Sequence, residues 1–125
     1  MDKNLMPRRA WLRAAGALGL SPLIPTAHAS EPLKVGFVYV APLTDAGWVR
    51  QHELGRQAVQ AALGPRVETR YVENVAEGPD AERVIRDLAR QGHRLIFTPS
   101  FGYMEPTLKV AAEFPDVRFE SITGY

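Results

Sequence analysis

Alternation constrains this chain more than any other feature. Four short apolar runs, at residues 34–40, 67–72, 95–98 and 117–122, are of strand length and rich in Val, Ile, Phe and Tyr. Three segments with helical spacing lie between them. In the second, Ala81, Val84, Ile85, Leu88 and Ala89 fall at i, i+3, i+4, i+7 and i+8, which puts them on one helix face. Glu82, Arg83, Arg86, Asp87 and Arg90 cover the other face. Pro79 suits the first helical position and Gly92 the C-terminal stop. A first helix is predicted over residues 48–63, capped by Asp45 or Thr44 and ended by Gly64-Pro65. A third is predicted over residues 105–114, with Pro106 near its start and Pro115 at its stop. The order β-α-β-α-β-α-β implies an α/β fold, a three-layer parallel sheet with right-handed crossovers.

Composition narrows the chemistry. A chain of 125 residues makes one domain at most. It has no cysteine, which excludes a disulfide framework, a thiolate metal site, a Cys nucleophile and a lipid-anchored cysteine. The net charge of +1 points neither to nucleic acid nor to an anionic membrane. Residues 1–29 hold Lys3, Arg8, Arg9 and Arg13 against the single acid Asp2, so the basic excess belongs to that segment.

Residues 1–29 have the layout of an export signal. Basic residues come first, then an apolar stretch from Ala14 to Ile24 that is too short to span a bilayer, which needs ~20 apolar residues. Ala27-His28-Ala29 places small residues where a signal peptidase reads them, so cleavage is expected between Ala29 and Ser30. The run Arg8-Arg9-Ala10-Trp11-Leu12-Arg13 is similar to the twin-arginine pattern, although Trp11 is an unusual aromatic there and Pro7 replaces the usual Ser or Thr. An ordinary general-pathway signal and a disordered basic tail are the alternatives. With the signal removed, the chain is expected in the periplasm without a lipid anchor, having met the twin-arginine translocase and a signal peptidase.

In parallel α/β sheets, ligands bind at the carboxyl ends of the strands. Those loops are residues 41–47, 73–78 and 99–104. In the first, Gly47 leaves room beside Trp48, an indole that could stack on a flat solute, and Asp45 could accept hydrogen bonds. The competing reading is that Asp45 caps the helix while Trp48 packs on its loop. The third loop gathers Ser100, Phe101, Tyr103 and Glu105 around Gly102 at the mouth of a helix. Glu105 could bind a diol or merely cap. The middle loop is polar and reads as flexible, and turn chemistry explains Asn74.

Catalysis and cofactors have little support. There is no Gly-x-Gly-x-x-Gly after the first strand and no lysine-bearing phosphate loop. Ser100 does not sit in a Gly-x-Ser-x-Gly elbow. His52 and His93 match no metal spacing and read as surface or loop residues. Acids are also missing from the ends of strands one and three, against a phospho-acceptor domain.

The stretches "KVGFVYVAPLTDAGWVRQHELGRQA" and "YVENVAEGPDAERVIRDLARQGHRLIFTPSFGYMEPTLKVAAEFPDVRFE", with the final Thr123-Gly124-Tyr125, resemble the N-terminal part of the basic membrane protein (BMP) family. These are periplasmic substrate-binding proteins of ABC importers, similar to purine-nucleoside-binding lipoproteins. The resemblance covers residues 33–125, and its most specific parts are Asp45-Ala46-Gly47-Trp48 and Ser100-Phe101-Gly102-Tyr103-Met104. It implies part of the N-terminal lobe of a type I periplasmic binding fold, a small-molecule solute, a permease partner and no catalysis. It implies that Trp48 stacks on a base and that Glu105 contacts a sugar. The implied ligand is a purine, a nucleoside or another small heterocycle, and Val49, standing where many members have Asn, is a departure that counts against nucleoside specificity. Such proteins run to roughly 300 residues, a two-domain size, and the chain is expected to be a truncated or partial product whose site lacks its opposing wall. A sensor module on the same fold and a small exported hydrolase using Ser100 with Glu105 or Asp45 are the rivals.

Overall fold

The computed structural model describes residues 29–124. Arg8 and Arg9 lie outside the described residues. Ala29 and Ser30, on either side of the expected cleavage point, are exposed and outside regular secondary structure.

Seven main elements follow in the order the alternation implies: β1 (Leu33–Val38), α1 (Trp48–Leu63), β2 (Val67–Val72), α2 (Pro79–Arg90), β3 (Leu95–Phe97), α3 (Met104–Glu113) and β4 (Arg118–Glu120). Short 3-10 turns, Gly64–Arg66 and Phe101–Tyr103, precede β2 and α3. The four strands form one sheet in the order β2-β1-β3-β4, parallel throughout. Val35 stands opposite Thr69 on one side and Leu95 on the other. The chain runs outward from β1 to β2, then crosses back to β3 and β4. That reversal puts a topological switch point between β1 and β3, where the following loops diverge and leave a crevice.

Alternate side chains of β1 point to opposite faces and so build two cores. Val38 joins Ile96, Val110 and the predicted α2 stripe of Ala81, Val84, Ile85, Leu88 and Ala89. Val35, Phe37 and Tyr39 join Val49 on the face covered by α1. Gly36 lies under α2, where a Cβ would come within 3.1 Å of Leu88 Cδ1. The single helix α1 does not cover its whole face. It leaves an apolar groove of about 340 Å3, floored by Phe37, Leu95 and Phe97 and walled by Val59 and Leu63. No helix among the described residues is long and apolar enough to cross a membrane.

Three local expectations are corrected. Neither Asp45 nor Thr44 caps α1. Gly47 holds that position at φ 95°, and no side chain bonds the first-turn amides. Thr44 Oγ1 instead donates to the Ala46 carbonyl at 2.7 Å, which tightens the turn before the helix. Glu105 does not cap α3 either; it lies within the first turn. His93 is buried, not on the surface, with Nδ1 2.8 Å from the Leu88 carbonyl.

Helix α1 is fixed to the sheet by a buried charge. Glu53 is 2% exposed. Its carboxylate accepts from Arg56 at 2.6 and 2.7 Å, from Gln57 at 2.9 Å and from the Tyr39 hydroxyl at 3.1 Å. Arg56 also donates to Thr69 Oγ1 of β2 at 2.8 Å and lies over the Tyr71 ring. A buried ion is tolerated only when its partners are this complete. Hydrogen bonds from Arg56, opposed by burial, hold the Glu53 carboxyl below its ordinary value.

A folded-state value below the unfolded one stabilises the protein above the ordinary carboxylate range, about 4.3. That contribution is lost as pH falls through the lower folded value. Glu53→Ala is expected to cost about 3–5 kcal/mol in urea unfolding at pH 7. Arg83→Ala, which removes exposed pairs at 3.7 and 4.0 Å, is expected to cost less than about 1 kcal/mol. Glu53→Gln should flatten the acid limb of stability against pH. Equal costs for Glu53→Ala and Arg83→Ala would refute the assignment.

Candidate functional site

The loops at the carboxyl rim are tied to one another. The loop after β1 meets the loop after β2 through the Asn74 amide, which donates to the Ala41 carbonyl at 3.3 Å, and the Val75 amide, which donates to Tyr39 at 3.0 Å. The Leu43 amide donates to the Glu73 carboxylate. Asn74 sits at φ 56°, a left-handed conformation that asparagine tolerates. The middle loop, expected to be flexible, is therefore the one to which its neighbours are fastened.

Trp48 makes the tie across the switch point. Its indole Nε1 donates to the Pro99 carbonyl at 2.6 Å, so the first residue of α1 grips the loop after β3. The ring meets His52 edge-on at a centroid separation of 4.5 Å. Burial lowers the His52 pKa, and the ring also lines the apolar groove. Trp48 is still 50% exposed, so it is not turned under its helix. The competing readings of this residue, packing and display, both describe part of it.

The loop after β3 is held from the other side by Glu77. Its Oε1 accepts from the Ser100 hydroxyl at 2.6 Å and from the Gly102 amide at 3.1 Å. Tyr103 is fully buried and its hydroxyl donates to the Val75 carbonyl. Burial first, and then the Glu77 charge, push the Tyr103 pKa far up, so the hydroxyl keeps its proton. Thr107 Oγ1 donates to Thr98 Oγ1 at 3.0 Å beneath the loop.

The six candidate residues divide accordingly. Asp45, Trp48, Phe101 and Glu105 are exposed. Ser100 is nearly buried and bonded to Glu77; Tyr103 is buried and braces the loop instead of facing solvent. Glu77 was not anticipated. The signal was the Glu77-Gly78-Pro79 step into α2 facing a glycine-centred loop, but only the fold brings the two together.

Charge at the rim is one-sided. Residues 39–47, 73–78 and 98–105 carry Asp45, Glu73, Glu77 and Glu105 and no Lys or Arg. Such a rim repels anions and suits a ligand rich in hydrogen-bond donors. No cluster suited to a metal ion occurs among the described residues. The Ser100 hydroxyl meets a carboxylate whose accepting oxygen also holds a backbone amide, so the three groups form a clasp on the loop.

Residues 33–125 match the Bmp family, described as ABC transporter substrate-binding protein, PnrA-like. A purine-binding protein of Brucella abortus (strain 2308) is 61% identical over 99 residues, covering 79% of this chain and 28% of that protein. A protein of Haloferax volcanii, named as an ABC transporter glucose-binding protein, is 39% identical over 95 residues, covering 76% and 24%. Among solved structures, an ABC transporter solute-binding protein from Conexibacter woesei superposes with a TM-score of 0.65 at 27% identity, over 71% of this chain and 29% of that one. A transcriptional activator of the comK gene from Bacillus halodurans superposes at 0.61 with 28% identity, over 73% and 30%. The chain thus spans 28% and 24% of the lengths of the two curated relatives. With the rim loops and every strand inside the matched span, the chain belongs to the Bmp family of PnrA-like ABC transporter substrate-binding proteins.

Proposed function

We propose that this chain supplies one wall of the solute site in the binding component of an ABC importer, and that the solute is a purine or a similar flat, donor-rich heterocycle. The Trp48 indole carries the reading. Its edge is fixed to Pro99 at the switch point while half its surface stays open, and an indole held in this way offers a stacking platform worth ~1–3 kcal/mol per base. Asp45 and Glu105 are the carboxylates that would accept the ring N–H groups or hydroxyls of the solute. Phe101, 62% exposed, would add a second apolar contact. Ser100 and Tyr103 would act through the loop they brace.

The purine-binding name of the Brucella abortus relative supports this choice, and the glucose-binding name of the 39% identical relative makes a sugar the competing ligand class. Members of this family work outside the cytoplasm, extracellularly or in the periplasm. The export reading places this chain in the periplasm, delivered through Arg8 and Arg9 to the twin-arginine translocase and cleaved between Ala29 and Ser30 by a signal peptidase. A permease would receive the solute. A second lobe, of the kind its longer relatives have room for, would close the site. The second reading is a ligand sensor on the same lobe; the Bacillus halodurans structure, named as a transcriptional activator, is the similarity that favours a regulatory role.

Taken alone, residues 1–125, which supply one wall, are expected to bind adenine with a dissociation constant of about 1 mM, the range that one stacking contact and a few hydrogen bonds give. In a Trp11→Phe background, adenine should quench the Trp48 emission. NMR titration should show that Trp48→Ala weakens binding at least about tenfold while Trp48→Phe keeps part of it. Asp45→Asn and Glu105→Gln should each weaken adenine more than glucose. Undiminished adenine binding by Trp48→Ala would overturn the proposal.

A further inference from the structure

Glu77 has no place in the solute site proposed above, yet its geometry is the most specific at the rim. Its carboxylate lies across Gly102. A Cβ built on that glycine would meet the Glu77 carboxyl carbon at 2.1 Å and its two oxygens at 2.3 and 2.5 Å. Gly102 is not in the left-handed region, so space and not backbone conformation demands a glycine there. The same carboxylate accepts from the Ser100 hydroxyl and the Gly102 amide, on either side of Phe101. The Tyr103–Val75 bond is a second tie from the same middle loop. Trp48 holds Pro99 from the opposite side.

We infer that Glu77 is a positioning residue: through Ser100 and Gly102, its carboxylate sets the pose in which the β3–α3 loop presents Phe101 and Glu105 to a solute. The inference rests on the solute-binding reading for the purpose of the pose, but the clasp itself is independent of it. The bond is charge-assisted, so it depends on an ionised acceptor and not only on the shape of the side chain. Glutamine has the shape and not the charge; aspartate keeps the charge one methylene short. The titratable neighbour set against Glu77 is Tyr103, which stays protonated.

The test is NMR of the 15N-labelled full chain, read at the Gly102 amide and the Trp48 indole. In the wild type, the Gly102 amide should exchange slowly with solvent because Glu77 holds it. Glu77→Ala should raise that exchange about tenfold or more, and Glu77→Gln should raise it by less. Gly102→Ala should reproduce the Glu77→Ala spectrum of the loop by pushing the carboxylate out. The double variant should add little to either single one, the non-additivity of groups in contact. Adenine should then shift the Trp48 indole resonance less in Glu77→Ala than in the wild type, with Glu77→Asp in between. If adenine leaves the wild-type indole unmoved, the solute reading falls while Gly102 amide exchange still judges the clasp. A Gly102 amide whose exchange ignores Glu77→Ala, or fully additive effects of the two substitutions, would overturn the inference.

Discussion

Strand β1 is the member on which the rest hangs. It has parallel partners on both sides and a hydrophobic core against each face, through Val38 toward α2 and through Phe37 and Tyr39 toward α1. Its backbone polar groups are engaged in the sheet and its side chains in the cores. Only its carboxyl end, beside that of β3, is left to meet solvent. Because the chain reverses direction across the sheet between these two strands, their loops part there, and Trp48 reaches over the gap to Pro99. The location of the candidate site thus follows from connectivity, and its rigidity from the bonds laid across the gap.

The fold was legible because each element carries its own period. The α2 stripe from Ala81 to Ala89 is the buried stripe of the structure, and the helix bounds at Trp48, Leu63 and Pro79 fall where the glycines and prolines put them. What was not legible is non-local. Capping preferences favoured Asp45 and Thr44, but the turn before α1 is closed by Thr44 on Ala46 and entered through a glycine in a left-handed conformation. His93 was not read as buried because the space under Gly36 that receives it exists only once α2 is packed on the sheet. Glu77 was not anticipated because its partners, Ser100 and Gly102, lie a whole helix and strand away.

The aromatic and acidic residues read as one group from the sequence fall into two. Trp48, Phe101, Asp45 and Glu105 reach the surface, whereas Ser100 and Tyr103 work underneath it. A loop of small and aromatic residues has little stiffness of its own. Here the stiffness is borrowed from the middle loop, through Val75 and Glu77, and from α1 through an indole nitrogen. The Glu53–Arg56 pair in turn fixes α1 against β1 and β2, so the platform on which Trp48 stands is set by a buried charge one helical turn away.

The contact between Glu77 and Gly102 has a bearing on descent. The two positions are 25 apart in sequence, and one offers the bare surface on which the other rests. A lineage that acquires a side chain at the second must shorten or re-aim the first, and one that loses the acid no longer needs the glycine. Across homologous genes these two sites should drift as a couple, leaving a correlated trace in which neither changes alone for long.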